Sequence, residues 1–170
     1  QHDVTDGVNA MVRAGYADPD RVCIVGASYG GYAALYSVLR NPERYRCAAS
    51  FAGVTDWDKQ LSHDRQFLTR KASRSQKARV VGDDLGFDMD SVSVYRLAEG
   101  LSRPVLVAHG EEDYIVPFDQ YERFERATRG NPLVRTLVFE DEGHGFADPA
   151  NEQAWYDALL GFLAEHNPPD

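Results

Sequence analysis

The chain has 170 residues, of which 43% are hydrophobic and 26% are charged, proportions typical of one globular domain. Its 18 basic and 27 acidic residues give a net charge of −9, which repels polyanions and anionic membrane surfaces. No apolar stretch approaches the roughly 18 residues needed to span a bilayer. We therefore expect neither a nucleic acid nor a membrane among its partners.

The first segment has the pattern of a helix. Four apolar residues have helical spacing before Gly15, a common C-terminal stop: Val4, Val8, Met11 and Val12. Because the chain begins with Gln1 rather than Met, we expect a fragment of a longer protein. The lack of a signal peptide then leaves the compartment open.

Short apolar runs then alternate with helical patterns. The predicted strands are "RVCIVGA", "CAASFAG", "PVLVAHG" and "RTLVF", and the first two flank a helix that is apolar nearly all round and ends before Pro42. A further helix is predicted from Pro117 to about Thr128, and a last one begins with Asp148 as its cap and Pro149 in its first turn. This alternation predicts an α/β fold with a mostly parallel sheet of about four strands and helices on both faces.

Two features stand apart from this alternation. Residues 54–100 are polar and of mixed charge, and they predict a mostly helical, cap-like insertion whose charges face solvent. Cys23 and Cys47 each lie inside an apolar run, and we interpret them as small buried hydrophobic residues rather than a disulfide or zinc framework.

Three polar residues follow the ends of three predicted strands: Ser28, Asp113 and His144. Because the carboxyl ends of parallel strands meet at one edge of a sheet, these side chains can converge. A serine attacks a carbonyl when a base takes its proton and a carboxylate orients that base. The chain order, serine then acid then histidine, is that of α/β-hydrolases.

The residues around Ser28 suit a sharp turn from strand to helix. Gly26 and Gly30, two residues before and after the serine, leave room for the backbone, and Gly31 permits close packing. The backbone N–H of Tyr29 is available as one of the two donors that an oxyanion needs.

The acid has competitors. Asp56 and Asp58 follow the preceding strand, and Glu111 and Glu112 are neighbours of Asp113. We favour Asp113, because a short turn ends in Pro117 and fixes the direction of the side chain. As the base, His144 alone among the five histidines lies in a polar, glycine-flanked loop. The other four are interpreted as structural or surface residues: His109 as structural, and His2, His63 and His166 as surface residues.

Four motifs together resemble the C-terminal catalytic domain of the prolyl oligopeptidase family of serine peptidases: "YADPDRVCIVGASYGGYAAL", "AGVTDW", "PVLVAHGEEDYIVPF" and "EDEGHGF". The likeness covers nearly the whole chain and is strongest to bacterial dipeptidyl-peptidase and acylaminoacyl-peptidase-like members. It implies the C-terminal half of an α/β-hydrolase fold that hydrolyses short peptides without a metal or organic cofactor, usually gated by a β-propeller. It also implies Ser28 as nucleophile, Asp113 as orienting acid and His144 as general base.

The resemblance further implies a pocket for the residue before the scissile bond, lined by Tyr32, Val54, Trp57 and Val116. In members that cleave after proline, aromatic residues follow the tryptophan on the same helix, whereas this chain has Gln60 and Asp64 nearby. We therefore expect a small or apolar residue in the pocket rather than a requirement for proline.

The resemblance also identifies parts that this chain does not carry. The family's second oxyanion donor, a tyrosine hydroxyl, and the propeller belong to upstream segments. Without them the strand before Ser28 forms an open edge, and we expect a second copy to cover this edge in a homodimer. Two alternatives to a peptidase remain open: a carboxylesterase with the same fold, and a catalytically inert interaction fragment.

Overall fold

Four parallel strands form a single sheet in the computed structural model, which describes residues 2–82 and 86–168. The strands are β1 (Cys23–Ala27), β2 (Cys47–Phe51), β3 (Val105–Gly110) and β4 (Val134–Phe139). Their spatial order is β1-β2-β3-β4, and each neighbouring pair is parallel. The predicted parallel sheet of about four strands is therefore confirmed.

Seven α-helices connect and cover the strands in the described ranges: α1 (His2–Arg13), α2 (Tyr29–Arg40), α3 (Trp57–Asp64), α4 (Arg70–Val81), α5 (Val94–Leu97), α6 (Asp119–Ala127) and α7 (Pro149–His166). Helix α7 begins as its sequence predicts, because the Asp148 side chain accepts a 2.8 Å hydrogen bond from the backbone N–H of Ala150. None of these helices is both long enough and apolar enough to cross a membrane.

Each face of the sheet buries its own apolar cluster, because successive residues of a strand point to opposite faces. On β3, Val105 and Val107 pack with Leu35 of α2 and Phe124 of α6. Leu106 of the same strand lies in the second cluster, with two residues of α7, Trp155 and Phe162. Helices therefore cover both faces, as predicted.

Residues 54–100 contain α3, α4, α5 and two 3₁₀ turns, Met89–Val92 and Ala98–Gly100. The segment is therefore mostly helical where it is described, while residues 83–85 within it lie outside the described residues. Its role as a cap stays a prediction.

Strand β1 lies at the edge of the sheet. It pairs with β2 alone among the described strands, and Val25 at its centre is 46% exposed. By contrast, every residue of β2 and β3 is buried. The open edge expected from the sequence is therefore present in this chain.

Cys23 and Cys47 form a disulfide, so their interpretation as unpaired core residues was wrong. The two residues are register partners on β1 and β2, and their Cα atoms are 4.8 Å apart, within the range that a disulfide spans. Their side chains face each other because partner residues of neighbouring parallel strands point to the same face of the sheet.

Candidate active site

Ser28 occupies the sharp turn between β1 and α2. Its backbone has φ 56° and ψ −124°, a region that residues with a side chain rarely adopt. The turn is fixed on both sides, because the Ser28 N–H donates to the Phe51 carbonyl at 2.9 Å and its carbonyl accepts from the Tyr32 N–H at 3.1 Å. The hydroxyl therefore stands at the carboxyl end of the strand in a defined direction.

The glycines of this turn have different roles. A Cβ on Gly26 would overlap the backbone of Gly30, so close approach of the chain requires glycine there. A Cβ on Gly31 would collide with Ser50 Oγ of β2. Gly30, which we expected to leave room for the backbone, would meet nothing within 4 Å in the described chain if it carried a Cβ.

Ser28, His144 and Asp113 form a continuous hydrogen-bonded chain. His144 Nε2 lies 2.9 Å from Ser28 Oγ, and His144 Nδ1 lies 2.8 Å from Asp113 Oδ2. A carboxylate can only accept, so Nδ1 carries the ring proton of the neutral imidazole and Nε2 is left as an acceptor for the serine proton. The three residues thus have the arrangement in which a base activates a serine.

Asp113 is held as a carboxylate by its surroundings. Burial opposes its charge, but the nearby His109 ring and hydrogen bonds from His144 and the N–H groups of Val116 and Ile115 outweigh burial and hold the pKa of Asp113 below its usual value. The two backbone N–H groups both donate to Oδ1, at 2.8 and 2.9 Å. This leaves Oδ2 to His144, with His109 Nε2 3.4 Å away.

Three side chains hold consecutive carbonyls of the turn that follows Asp113. His63 Nε2 donates to the Tyr114 carbonyl at 2.8 Å and Gln60 Nε2 to the Ile115 carbonyl at 2.9 Å. His109 Nε2 donates to the Val116 carbonyl at 2.8 Å. The prediction that His63 is a surface residue therefore missed its contact with this turn, which depends on how α3 packs against the turn that follows β3.

A buried carboxylate organises the loop that carries His144. Glu142 is fully buried and accepts hydrogen bonds from the N–H groups of Ala147 and Asp148, at 2.6 and 2.9 Å, and from Asn151 Nδ2 at 3.0 Å. These bonds, that of Ala147 first, lower the pKa of Glu142. The Glu142 carbonyl accepts from the Glu112 N–H at 2.9 Å, so the loops of the acid and the histidine are joined. Sequence reasoning did not identify this residue.

The side chains of the competing acids have other partners or are exposed. Asp56 accepts from the Lys59 N–H at 3.1 Å as the N-cap of α3, and it lies 3.6 Å from Arg123. Asp58, Glu111 and Glu112 are exposed. Of the other histidines, His166 packs on Phe162 in α7. The side chain of His2 lies outside the described part of the chain.

The backbone N–H of Tyr29 makes no hydrogen bond in the described part of the chain. Tyr29 is the first residue of α2, so its N–H has no acceptor within the helix, and it donates to no other described residue. The positive end of the helix dipole favours negative charge at this point. The role of this N–H as an oxyanion donor stays a prediction.

A cavity of about 850 Å³ opens beside Ser28. The four residues predicted to line a pocket all border it: Tyr32, Val54, Trp57 and Val116. Aromatic rings form much of its wall, with the centroid of Trp57 5.0 Å from that of Tyr32 and 6.2 Å from that of Tyr29. Burial raises the pKa of Tyr32 to about 12, so its hydroxyl stays protonated.

The cavity also has polar residues, contributed mainly by α3 and α4. They are Gln60, His63, Asp64, Gln76 and Arg79. Gln60 Nε2 donates to Asp64 Oδ1 at 2.9 Å, and Gln76 Nε2 donates to the other carboxylate oxygen. Asp64 and Gln60 were recognised in the sequence only as departures from an aromatic wall. Among the described residues, no group of three or more His, Cys, Asp or Glu side chains could hold a metal ion.

Comparisons with known proteins agree with this architecture. The model of the prolyl oligopeptidase family matches residues 1–168. Dipeptidyl aminopeptidase BIII of Pseudoxanthomonas mexicana is 31% identical over an alignment of 169 residues that covers 96% of this chain and 24% of that protein.

Solved structures of two peptidases are also similar to this chain. A puromycin-hydrolyzing peptidase of Mycobacterium tuberculosis superposes with a TM-score of 0.82 at 28% identity, over 96% of this chain and 24% of that one. An acylaminoacyl peptidase of Pyrococcus horikoshii has a TM-score of 0.81 at 22% identity, over 99% of this chain and 28% of that one, and supports the fold alone. The chain thus spans about a quarter of the length of the relatives that it matches.

Proposed function

The chain belongs to the prolyl oligopeptidase family, and on this premise we propose that it is the catalytic part of a serine peptidase that hydrolyses short peptides through an acyl-enzyme. One observation carries the proposal. Ser28 Oγ, His144 and Asp113 are joined by hydrogen bonds of 2.9 and 2.8 Å beside a cavity with aromatic walls. Both a nucleophile and a place for a substrate side chain are thereby available.

In the proposed mechanism, His144 Nε2 takes the Ser28 proton while Oγ forms a bond to the substrate carbonyl carbon. Asp113 stabilises the imidazolium that results, and the Tyr29 N–H donates to the oxyanion. The tetrahedral intermediate collapses, the C–N bond breaks, and His144 gives its proton to the departing amine. Water then attacks the acyl-enzyme with His144 again as base, releasing the acid and restoring Ser28.

In this proposal the cavity holds the side chain of the substrate residue that precedes the scissile bond. Tyr32, Val54, Trp57 and Val116 supply its apolar surface, and each is less than 7% exposed. The polar groups of Gln60 and Asp64 border the same cavity, which supports a substrate preference other than proline.

Two further parts of the proposal concern partners. We propose that the second oxyanion donor comes from a preceding part of a longer enzyme that also contains a β-propeller, since the described chain provides only the N–H of Tyr29 beside Ser28. The exposed edge of β1, with Val25 46% exposed, also fits a homodimer. Sedimentation analysis tests this association: a monomer at micromolar concentration with slow amide exchange in β1 would contradict it.

A fluorophosphonate probe tests the nucleophile. We expect the chain to be labelled once, and the label to disappear in the Ser28→Ala variant, because only an activated serine reacts with this probe. Ser50→Ala is a matched control, since Ser50 is buried in β2 and its hydroxyl has no hydrogen-bond partner among the described residues. Labelling that persists in Ser28→Ala contradicts the assignment, and an unlabelled but folded chain supports the inert alternative. Faster turnover of short acyl esters than of aminoacyl amides would support the carboxylesterase.

A further inference from the structure

One wall of the cavity carries hydrogen-bond acceptors next to its aromatic rings. Trp57, Gln60 and Asp64 lie on one face of α3, because residues three, four and seven apart are neighbours on a helix. All three border the cavity that also contains Ser28. At 1.5 Å per residue, Asp64 lies about 10 Å along the helix from Trp57. The polar end of this wall is therefore two helical turns from the aromatic cluster.

One acceptor of Gln60, Oε1, has no hydrogen-bond partner among the described residues. Its Nε2 donates to two acceptors, the Ile115 carbonyl and Asp64 Oδ1, so its nitrogen and oxygen cannot be exchanged. Oε1 is left buried without a hydrogen bond, in a residue that is only 5% exposed. Because the accessible surface of Oε1 is close to zero, Gln60 acts here by holding Asp64 in place and not by contacting a ligand.

Asp64 adds a fixed negative charge beside that acceptor. Gln60 and Gln76 donate to its two oxygens and thereby hold the carboxylate in place. No Lys, Arg or His side chain of the described ranges lies within ion-pair distance of it. Arg79, the other permanent charge that borders the cavity, is exposed on α4 and does not pair with Asp64.

The remaining wall suits a cation as well. The rings of Tyr29, Tyr32 and Trp57 lie within 6.2 Å of one another, and aromatic faces attract a guanidinium or ammonium group. A long basic side chain that enters beside Ser28 would pass these rings before its nitrogens reach the polar end of the wall. The aromatic rings and the carboxylate of Asp64 therefore lie one after the other along the same cavity.

We propose that this pocket selects peptides whose residue before the scissile bond is basic, above all arginine, with the Asp64 carboxylate accepting its N–H groups, in place of the small or apolar residue that the sequence predicted. Arginine fits best because its planar guanidinium can donate to both oxygens of one carboxylate at once. The inference rests on the proposed function, since it places that residue in the cavity beside Ser28.

The test compares arginine with citrulline, which has nearly the same shape but no charge. Binding of N-acetyl-arginine amide and N-acetyl-citrulline amide to the Ser28→Ala chain is measured by calorimetry, so no turnover is required. We expect arginine to bind about 10-fold more tightly or better, because hydrogen bonds to a carboxylate from a cation are roughly twice as strong as neutral ones. Asp64→Asn should bring the ratio close to one.

Asp58→Asn is the matched control. Asp58 lies on the exposed side of the same helix, so this variant loses the same charge without changing the cavity, and it should keep the arginine preference. Equal binding of the two amides, or a ratio that is unchanged in Asp64→Asn, would overturn the proposal. The comparison on Ser28→Ala alone remains decisive if Asp64→Asn does not fold.

Hydrolysis of arginyl and citrullinyl coumarin amides by the chain with Ser28 intact separates this inference from the proposed function. Ser28-dependent cleavage without a preference for arginine leaves the peptidase proposal standing and overturns the basic pocket. A preference for arginine in binding, in a chain that neither cleaves amides nor reacts with the fluorophosphonate, leaves the basic pocket standing and overturns the peptidase.

Discussion

Replacing Asp113 with asparagine is a sharp test of the proposed relay, because the two carboxylate oxygens have different partners. Oδ1 accepts from the N–H groups of Ile115 and Val116, at 2.8 and 2.9 Å, and Oδ2 accepts from His144 Nδ1 at 2.8 Å. An asparagine has only one oxygen. That oxygen must stay with the two backbone donors, since the opposite orientation would set an NH₂ group against both of them. The NH₂ group of Asn therefore faces His144.

This orientation places the imidazole proton on the wrong nitrogen. Facing a donor, Nδ1 becomes the acceptor, and the proton moves to Nε2, which is 2.9 Å from Ser28 Oγ. A protonated Nε2 cannot take the serine proton. The same exchange in a Ser-His-Asp triad lowers kcat about 10⁴-fold, and we expect a loss of about 10³- to 10⁴-fold here. The KM for a short peptide amide should change little, because Asp113 does not border the cavity.

The assay is the rate of fluorophosphonate labelling, together with kcat for a peptide amide if the chain turns one over. Glu112→Gln removes the same charge from the adjacent, exposed residue and should leave both rates within about twofold, since surface charges act weakly. A loss below 10-fold in a folded Asp113→Asn chain, or an equal loss in Glu112→Gln, would refute the reasoning.

Three further predictions concern stability. Reduction of the Cys23–Cys47 disulfide, which closes a separation of 24 residues, should lower the free energy of unfolding by about 3 kcal/mol in urea titrations, and the unreduced denatured chain should contain no free thiol. The free energy of unfolding of Ser28→Gly, from urea titration, should be about 1 kcal/mol higher than that of Ser28→Ala. Glycine relieves the strain of φ 56° at some cost in chain entropy, whereas alanine keeps the strain. Since its pKa is lowered on folding, ionised Asp113 stabilises the folded chain above about pH 4, and this contribution is lost as the pH falls through the lowered pKa. The wild type should therefore lose more stability between pH 6 and pH 3 than Asp113→Asn, and parallel curves would contradict this.

The sequence predicted the parallel sheet because its strands are continuous apolar runs separated by helical patterns. The disulfide was missed for the same reason. Inside an apolar run a cysteine is indistinguishable from a small hydrophobic residue, and pairing depends on register, which placed Cys23 opposite Cys47. Register follows from how two distant strands align, and local composition does not contain this information.

The candidate site was predictable where it depends on strand ends. Ser28, Asp113 and His144 each follow a strand, so topology alone predicts that they converge. The contacts of Glu142 and His63 were not predictable, because each depends on the path of a loop or the packing of a helix against a turn. The catalytic roles themselves stay predictions until the labelling and kinetic experiments are done.

Helix α3 belongs both to the pocket and to the support of the catalytic acid. Gln60 borders the cavity, and its amide nitrogen donates to the carbonyl of Ile115, a residue whose backbone N–H holds Asp113 Oδ1. A displacement of α3 by a substrate side chain would therefore be transmitted to the turn that orients Asp113, and from there to His144. Hydrogen bonds are directional, so even small displacements of this turn weaken the bond to the imidazole. Selection of the substrate side chain and alignment of the acid thus depend on the same helix, and a side chain that fits badly in the cavity is expected to lower kcat as well as to raise KM.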